Sequence, residues 1–89
     1  MKLKIKKLDV RAIIPEYKTA GAAGCDLNVL LDNDAEVIKK GEIKMFKTGL
    51  SFILENGYEA QIRSRSGLSL KNGIIVLNAP GTIDSDYRG

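Results

Sequence analysis

Histidine does not occur in these 89 residues. Its absence removes the commonest general base and the commonest zinc ligand, so Ser-His-Asp, Cys-His and histidine-zinc hydrolysis are excluded within the chain. Any hydrolytic chemistry must rest on carboxylates. Cysteine occurs once, as Cys25, which excludes an internal disulfide. With no histidine to activate it, Cys25 makes a poor nucleophile and reads as a small core residue. No apolar run approaches the roughly 20 residues of a transmembrane helix. The amino terminus, MKLKIKKLDV, carries the lysines of a signal peptide but alternates them with Leu3 and Ile5, so it reads as a strand. The expected setting is cytoplasmic and reducing, without membrane contact. Aromatic residues make up 6% of the chain, and neither a basic helix nor an aromatic platform is visible, which speaks against nucleic acid as a partner.

What is present suits a small globular fold. Hydrophobic residues are 44% and charged residues 28%, too apolar for disorder. At 9.7 kDa the expectation is a single domain over residues 1–89, with a thin core, since a domain of this size buries about 60 to 65% of its unfolded surface. The net charge of +3 comes largely from Lys2, Lys4, Lys6 and Lys7. It weakly favours an anionic ligand, and a solvated lysine face also discourages pairing at a sheet edge.

Period-two alternation recurs along the chain. Leu27, Val29 and Leu31 would share one strand face, and Leu50, Phe52 and Leu54 another. Asn56-Gly57, between SFILE and YEAQIRS, suits a type I′ hairpin, on whose returning strand Tyr58, Ala60 and Ile62 oppose Glu59, Gln61 and Arg63. KKGE (Lys39 to Glu42) predicts a second turn, linking AEVI to an IKMFK strand. One segment departs from this: Ser66 can cap a helical turn over Leu68 to Lys71 that Asn72-Gly73 ends. Then follow IIVLN (Ile74 to Asn78), read as a buried-type strand, the Ala79-Pro80-Gly81 turn, a brief TID strand and the SDYRG turn. Short strands joined by Gly and Asn turns predict an all-β sandwich or barrel with one short helix. The last strand ends beside Gly89 with nothing after it to pair or cover it, so the chain is expected to be a fragment of a larger fold.

Three segments carry candidate chemistry. RSRSG sets Arg65, Ser66 and Gly67 at a helix start, where N–H groups and the dipole favour an anion; the plainer alternative is a capping serine beside a solvated arginine. TIDSDYRG puts Asp84 and Asp86 on one side if the strand stays extended, as a general base or a magnesium-water ligand, or else in an Asx-type turn with both carboxylates solvated. Tyr87 alone, near a turn, reads as packing before it reads as a ligand platform. AGAAGCDL holds Gly21 and Gly24 in a tight turn before the Leu27 strand, with Asp26 at the strand entrance.

Taken together and in order, AGAAGCDL (Ala20 to Leu27), RSRSGLSLKNG (Arg63 to Gly73) and NAPGTIDSDYRG (Asn78 to Gly89) resemble the first three motifs of the trimeric deoxyuridine triphosphate diphosphatases, the dUTPases: AGxDL, RSGLAxKxGI and NxxGxIDxDYxG. The third is the most specific. The resemblance implies a jelly-roll or distorted β-barrel, incomplete at the carboxyl end, assembled as a homotrimer with sites between subunits. It implies hydrolysis of dUTP to dUMP and pyrophosphate with Mg2+. Carried over by position, Asp84 would orient the attacking water and Asp26 would support magnesium through water. Arg65, Ser66 and Gly67 would hold the phosphates, Asn78 and Gly81 would line the uracil pocket, and Tyr87 would pack beneath the deoxyribose, excluding a 2′-hydroxyl. Ser64 departs from the pattern, standing where proline is frequent, as does Ala22, where serine is common. The family's fourth motif, typically GDRxAQ, and its glycine-rich fifth, which closes over uracil, have no counterpart in these residues.

Two alternatives stand beside this. A deoxycytidine triphosphate deaminase shares the fold, though RSGLSLKNG and IDSDYRG favour the diphosphatase. From a different class, a truncated, noncatalytic module would bind nucleotide or protein without turnover.

Overall fold

A computed structural model describes residues 2–89. Its regular elements are strand β1 (Lys4–Lys7), strand β2 (Leu50–Ile53), strand β3 (Ala60–Ile62), helix α1 (Ser66–Asn72) and strand β4 (Gly81–Ile83). β1 pairs with β2, and β3 pairs antiparallel with β4 in the register Ala60↔Ile83, Gln61↔Thr82 and Ile62↔Gly81. Short strands and one helix of seven residues match the all-β expectation. The chain divides into two compact units, residues 5–52 and residues 2–4 with 53–89.

In the unit of residues 5–52, alternation places Leu50 inward and Phe52 half-buried, as the sequence predicts; Leu54, which belongs to the other unit, is buried as well. The knot of this unit is Gly49. Its carbonyl accepts the Leu8 N–H at 2.7 Å, its φ is 71°, and a Cβ there would stand 3.0 Å from the Ala12 Cβ and 3.1 Å from a Leu30 methyl. Nearby, the Arg11 guanidinium donates to both Asp9 carboxylate oxygens, at 3.2 and 2.9 Å, and lies 3.7 Å from Asp32. The Arg11 hydrogen bonds hold the Asp9 carboxyl down to about 2, because they favour its charged form. The Lys44 ammonium bonds the Glu36 carboxylate at 2.8 Å, which raises its pKa, and also the Val37 carbonyl at 2.6 Å.

Several expectations are corrected. The predicted Leu27 to Leu31 strand and the IKMFK strand are reduced to one antiparallel bridge, Leu30↔Lys47, and Val29 is exposed. Cys25, expected in a core, is exposed. Its stretch has no ladder that would turn it inward. The KKGE turn is present, closed by Glu42 N–H to Lys39 C=O at 2.9 Å and by Lys39 N–H to the Glu42 carboxylate at 3.0 Å. At Asn56-Gly57 a turn forms, with Tyr58 N–H to Glu55 C=O at 3.2 Å, but positive φ is confined to glycines among the described residues and Gly57 has φ 88°. That is a type II pattern, with only the third position left-handed, and not type I′. Type II does not match strand twist and splays its flanking strands. Accordingly β2 and β3 do not pair with each other.

In the other unit, the side-chain alternation of β3 holds. Ala60 and Ile62 are half-buried, while Glu59, Gln61 and Arg63 are exposed and linked in series, Gln61 donating to Glu59 at 3.0 Å and Arg63 to Gln61. Residues 74–78, predicted as a buried-type strand, form no ladder, and Ile74, Ile75 and Leu77 are exposed. Ile74 and Val76 instead hold their backbone groups through α1, two serine hydroxyls and a turn.

Candidate functional site

Pairing of Ile62 with Gly81 closes a loop that runs through α1 and back, and this loop holds Arg65, Ser66, Gly67, Asn78 and Gly81. Arg65 takes the N-cap position with extended backbone (φ −80°, ψ 128°), and no side chain caps the helix. Ser66, predicted as the cap, is instead the first helical residue: the helix begins one residue early, the Arg65 carbonyl already accepting the Ser69 N–H at 3.0 Å. The far end is an αL cap. Gly73 has φ 65° and its N–H bonds the Ser69 carbonyl at 3.1 Å, the stop expected of glycine.

From there two serine hydroxyls govern the return. Ser69 Oγ donates to the Ile74 carbonyl at 3.1 Å, and Ser64 Oγ accepts the half-buried Val76 N–H at 2.8 Å. A turn closed by Ala79 N–H to Val76 C=O at 3.1 Å carries Leu77 and Asn78 at its centre, followed by a cis Ala79-Pro80 bond. Asn78 and Gly81 lie close to each other. A Cβ on Gly81 would lie 3.7 Å from Asn78 Nδ2 and 3.8 Å from its Oδ1, an ordinary contact distance that places the two residues side by side.

Asp84 follows β4 directly. Its backbone is held before by the Ile83↔Ala60 pair and after by a turn in which its carbonyl accepts the Tyr87 N–H at 3.1 Å. Because the chain turns here, the extended geometry that would align Asp84 with Asp86 is not adopted; both are exposed. Arg88 clamps the turn, donating to the Ser85 carbonyl at 2.9 Å and the Tyr87 carbonyl at 2.8 Å. The Tyr87 ring lies against Gly89, where a Cβ would overlap it. Arg88 as a clamp and Ser64 as an acceptor had no signal in local sequence, since both partners are backbone atoms fixed only by the turns.

Asp26 belongs to the other unit and is half-buried. Among the described residues no three acidic or thiol groups converge. A single carboxylate suits magnesium, which keeps several waters and binds through one or two carboxylates together with substrate phosphates. An open groove of about 470 Å3 in the unit of residues 5–52 is lined by Asp9, Arg11, Asp32, Glu36 and Lys44 and contains none of the predicted site residues. These five charges already pair with one another. No helix among the described residues is long and apolar enough to cross a membrane.

The dUTPase family model matches residues 10–89. The chain belongs to the dUTPase family. Among curated proteins, a deoxyuridine 5'-triphosphate nucleotidohydrolase of Nautilia profundicola is 62% identical over 89 residues, covering 100% of this chain and 61% of that relative. Those of Trichodesmium erythraeum and Helicobacter hepaticus are 58% and 54% identical over the same 89 residues, with 61% and 54% of their lengths covered. This dUTPase-family chain therefore spans between about half and three fifths of the length of these relatives. The family's jelly roll accords with the short paired strands and single helix seen here.

Proposed function

We propose that residues 1–89 form one dUTPase-like domain whose β3–β4 loop holds dUTP for hydrolysis to dUMP and pyrophosphate. The observation that carries this reading is the loop closed by Ile62 and Gly81, within a family match over residues 10–89. In it Arg65 with the first residues of α1 takes the phosphate chain, charge-assisted bonds to phosphate being the strongest available to an exposed site. Asn78 and Gly81 line the uracil pocket. Tyr87 stacks under the deoxyribose and rejects a 2′-hydroxyl by contact.

Asp84 acts as the base. Its carboxylate orients a water and accepts its proton as the water oxygen bonds to the phosphorus that remains in dUMP, while the bond from that phosphorus to the pyrophosphate oxygen breaks. Anchoring on both sides, by β4 and by the Tyr87 turn, supports such positioning. Mg2+, held with the nucleotide and supported by Asp26 through water, would neutralise phosphate charge. The family resemblance implies a homotrimer with sites between subunits, and the exposed Leu70, Ile75 and Leu77 accord with burial against another surface.

Pyrophosphate release from dUTP with magnesium, beside dCTP and UTP, tests the reading. Selective release from dUTP is expected, and equal or preferential turnover of dCTP would overturn it. Because the chain spans 54 to 61% of those relatives, a noncatalytic nucleotide-binding module is the second reading. Calorimetric binding of dUTP without turnover would favour it.

A further inference from the structure

We propose that Ser64 is a positioning residue for Asn78. This rests on the reading of Asn78 as the base-recognising group, but its structural half stands by itself. Residues 74–78 have no strand partner among the described residues, so the path from α1 to Asn78 is set by few contacts. Val76 N–H to Ser64 Oγ, at 2.8 Å, ties this return path to the segment just after β3, twelve residues earlier. The Val76 carbonyl then accepts Ala79 N–H, so the residue pinned by Ser64 is also the first residue of the turn that presents Asn78.

Ser64 is two residues from Ile62, which pairs with Gly81, and Gly81 neighbours the Asn78 carboxamide, a Cβ built on it coming within 3.7 Å of Nδ2. The contacts thus form a closed circuit: Ile62 to Gly81, Gly81 to Asn78, Asn78 through the turn to Val76, and Val76 to Ser64. Ser64 is also bonded covalently to Arg65. One hydroxyl accordingly links the backbone at the phosphate end of the loop to the turn at its base end. A proline at this position would fix φ but offer no hydroxyl acceptor. In this chain the hydrogen bond performs the fixing.

The test uses the 15N-labelled full chain with Ser64→Ala, Ser64→Thr and Ser64→Cys, the last keeping volume while weakening the acceptor. In the Ala and Cys variants, Val76 amide exchange is expected to quicken by about tenfold and the Asn78 side-chain amide resonances to move. Thr, which retains the hydroxyl, is expected to restore both. Affinity for dUTP should fall about fivefold in Ala and recover in Thr, in keeping with the loss of one hydrogen bond. Asn78 resonances unmoved in Ala and Cys, or moved equally in Thr, would overturn the proposal. Failure of the wild-type chain to bind dUTP would instead sink the nucleotide reading, and the resonances would still decide whether Ser64 positions Asn78.

Discussion

Asp84 is where the proposed chemistry concentrates. Replacing it by Asn should lower kcat by at least about a hundredfold while changing dUTP affinity less than about threefold, since a base acts chiefly in the transition state. Turnover and calorimetry on the same preparation check both halves. Gly49 is the most constrained residue of its unit. An alanine there combines left-handed backbone with a methyl about 3 Å from the Ala12 side chain. Gly49→Ala should therefore destabilise by about 1 to 3 kcal/mol, read as a lower urea midpoint. Asp9 sets an acid limit. Its folded pKa of about 2 lies below the ordinary 3.8, so its contribution is fully present above 3.8 and is lost as pH falls through 2. Asp9→Asn should flatten that part of an acid unfolding curve followed by circular dichroism. Candidate residues were legible by type and motif. The SDYRG turn and its solvated aspartates were legible too, whereas the exposure of Cys25 was not, because inwardness depends on a ladder partner that local alternation does not name.

At the scale of elements, sequence located turns better than strands. Gly57, Gly41 and Gly73 all take positive φ, as the NG, KG and NG signals imply. The turn type at Asn56-Gly57 was not legible, because Asn tolerates either sign of φ and pairing decides between them. Type II makes a distinct prediction. Proline at its second position is favourable, whereas type I′ would forbid it. Asn56→Pro should be neutral or stabilising by up to about 1 kcal/mol in thermal unfolding. A loss of several kcal/mol would mean a left-handed Asn56. Helix α1 appeared where expected but began one residue early, at Ser66, a shift within the usual ambiguity of helix ends. The IIVLN segment misled because an apolar run announces burial without stating what does the burying.

For the whole molecule, the all-β class and the order of its motifs were readable, but strand partners were not, since β1 with β2 and β3 with β4 join segments far apart in sequence. The buried residues are Ala12, Leu50 and Leu54 alone among those described, while Met45, Val10 and Leu70 are almost wholly exposed. Self-association is the corresponding prediction: analytical ultracentrifugation should give three times the 9.7 kDa chain mass, and a strictly monomeric species would remove the trimer from the proposal. The three residue pairs of β3 and β4 have a consequence for ligand response. They form a short clasp on a long loop, and a nucleotide gripped by Arg65 at one part and Asn78 at another would act as a reversible crosslink across it. At a ligand concentration a hundred times Kd, binding adds about 2.7 kcal/mol. Amide exchange should then slow at Ala60 to Ile62 and Gly81 to Ile83, with little change in β1. The substrate would thus serve as a fastener for half of the fold that binds it.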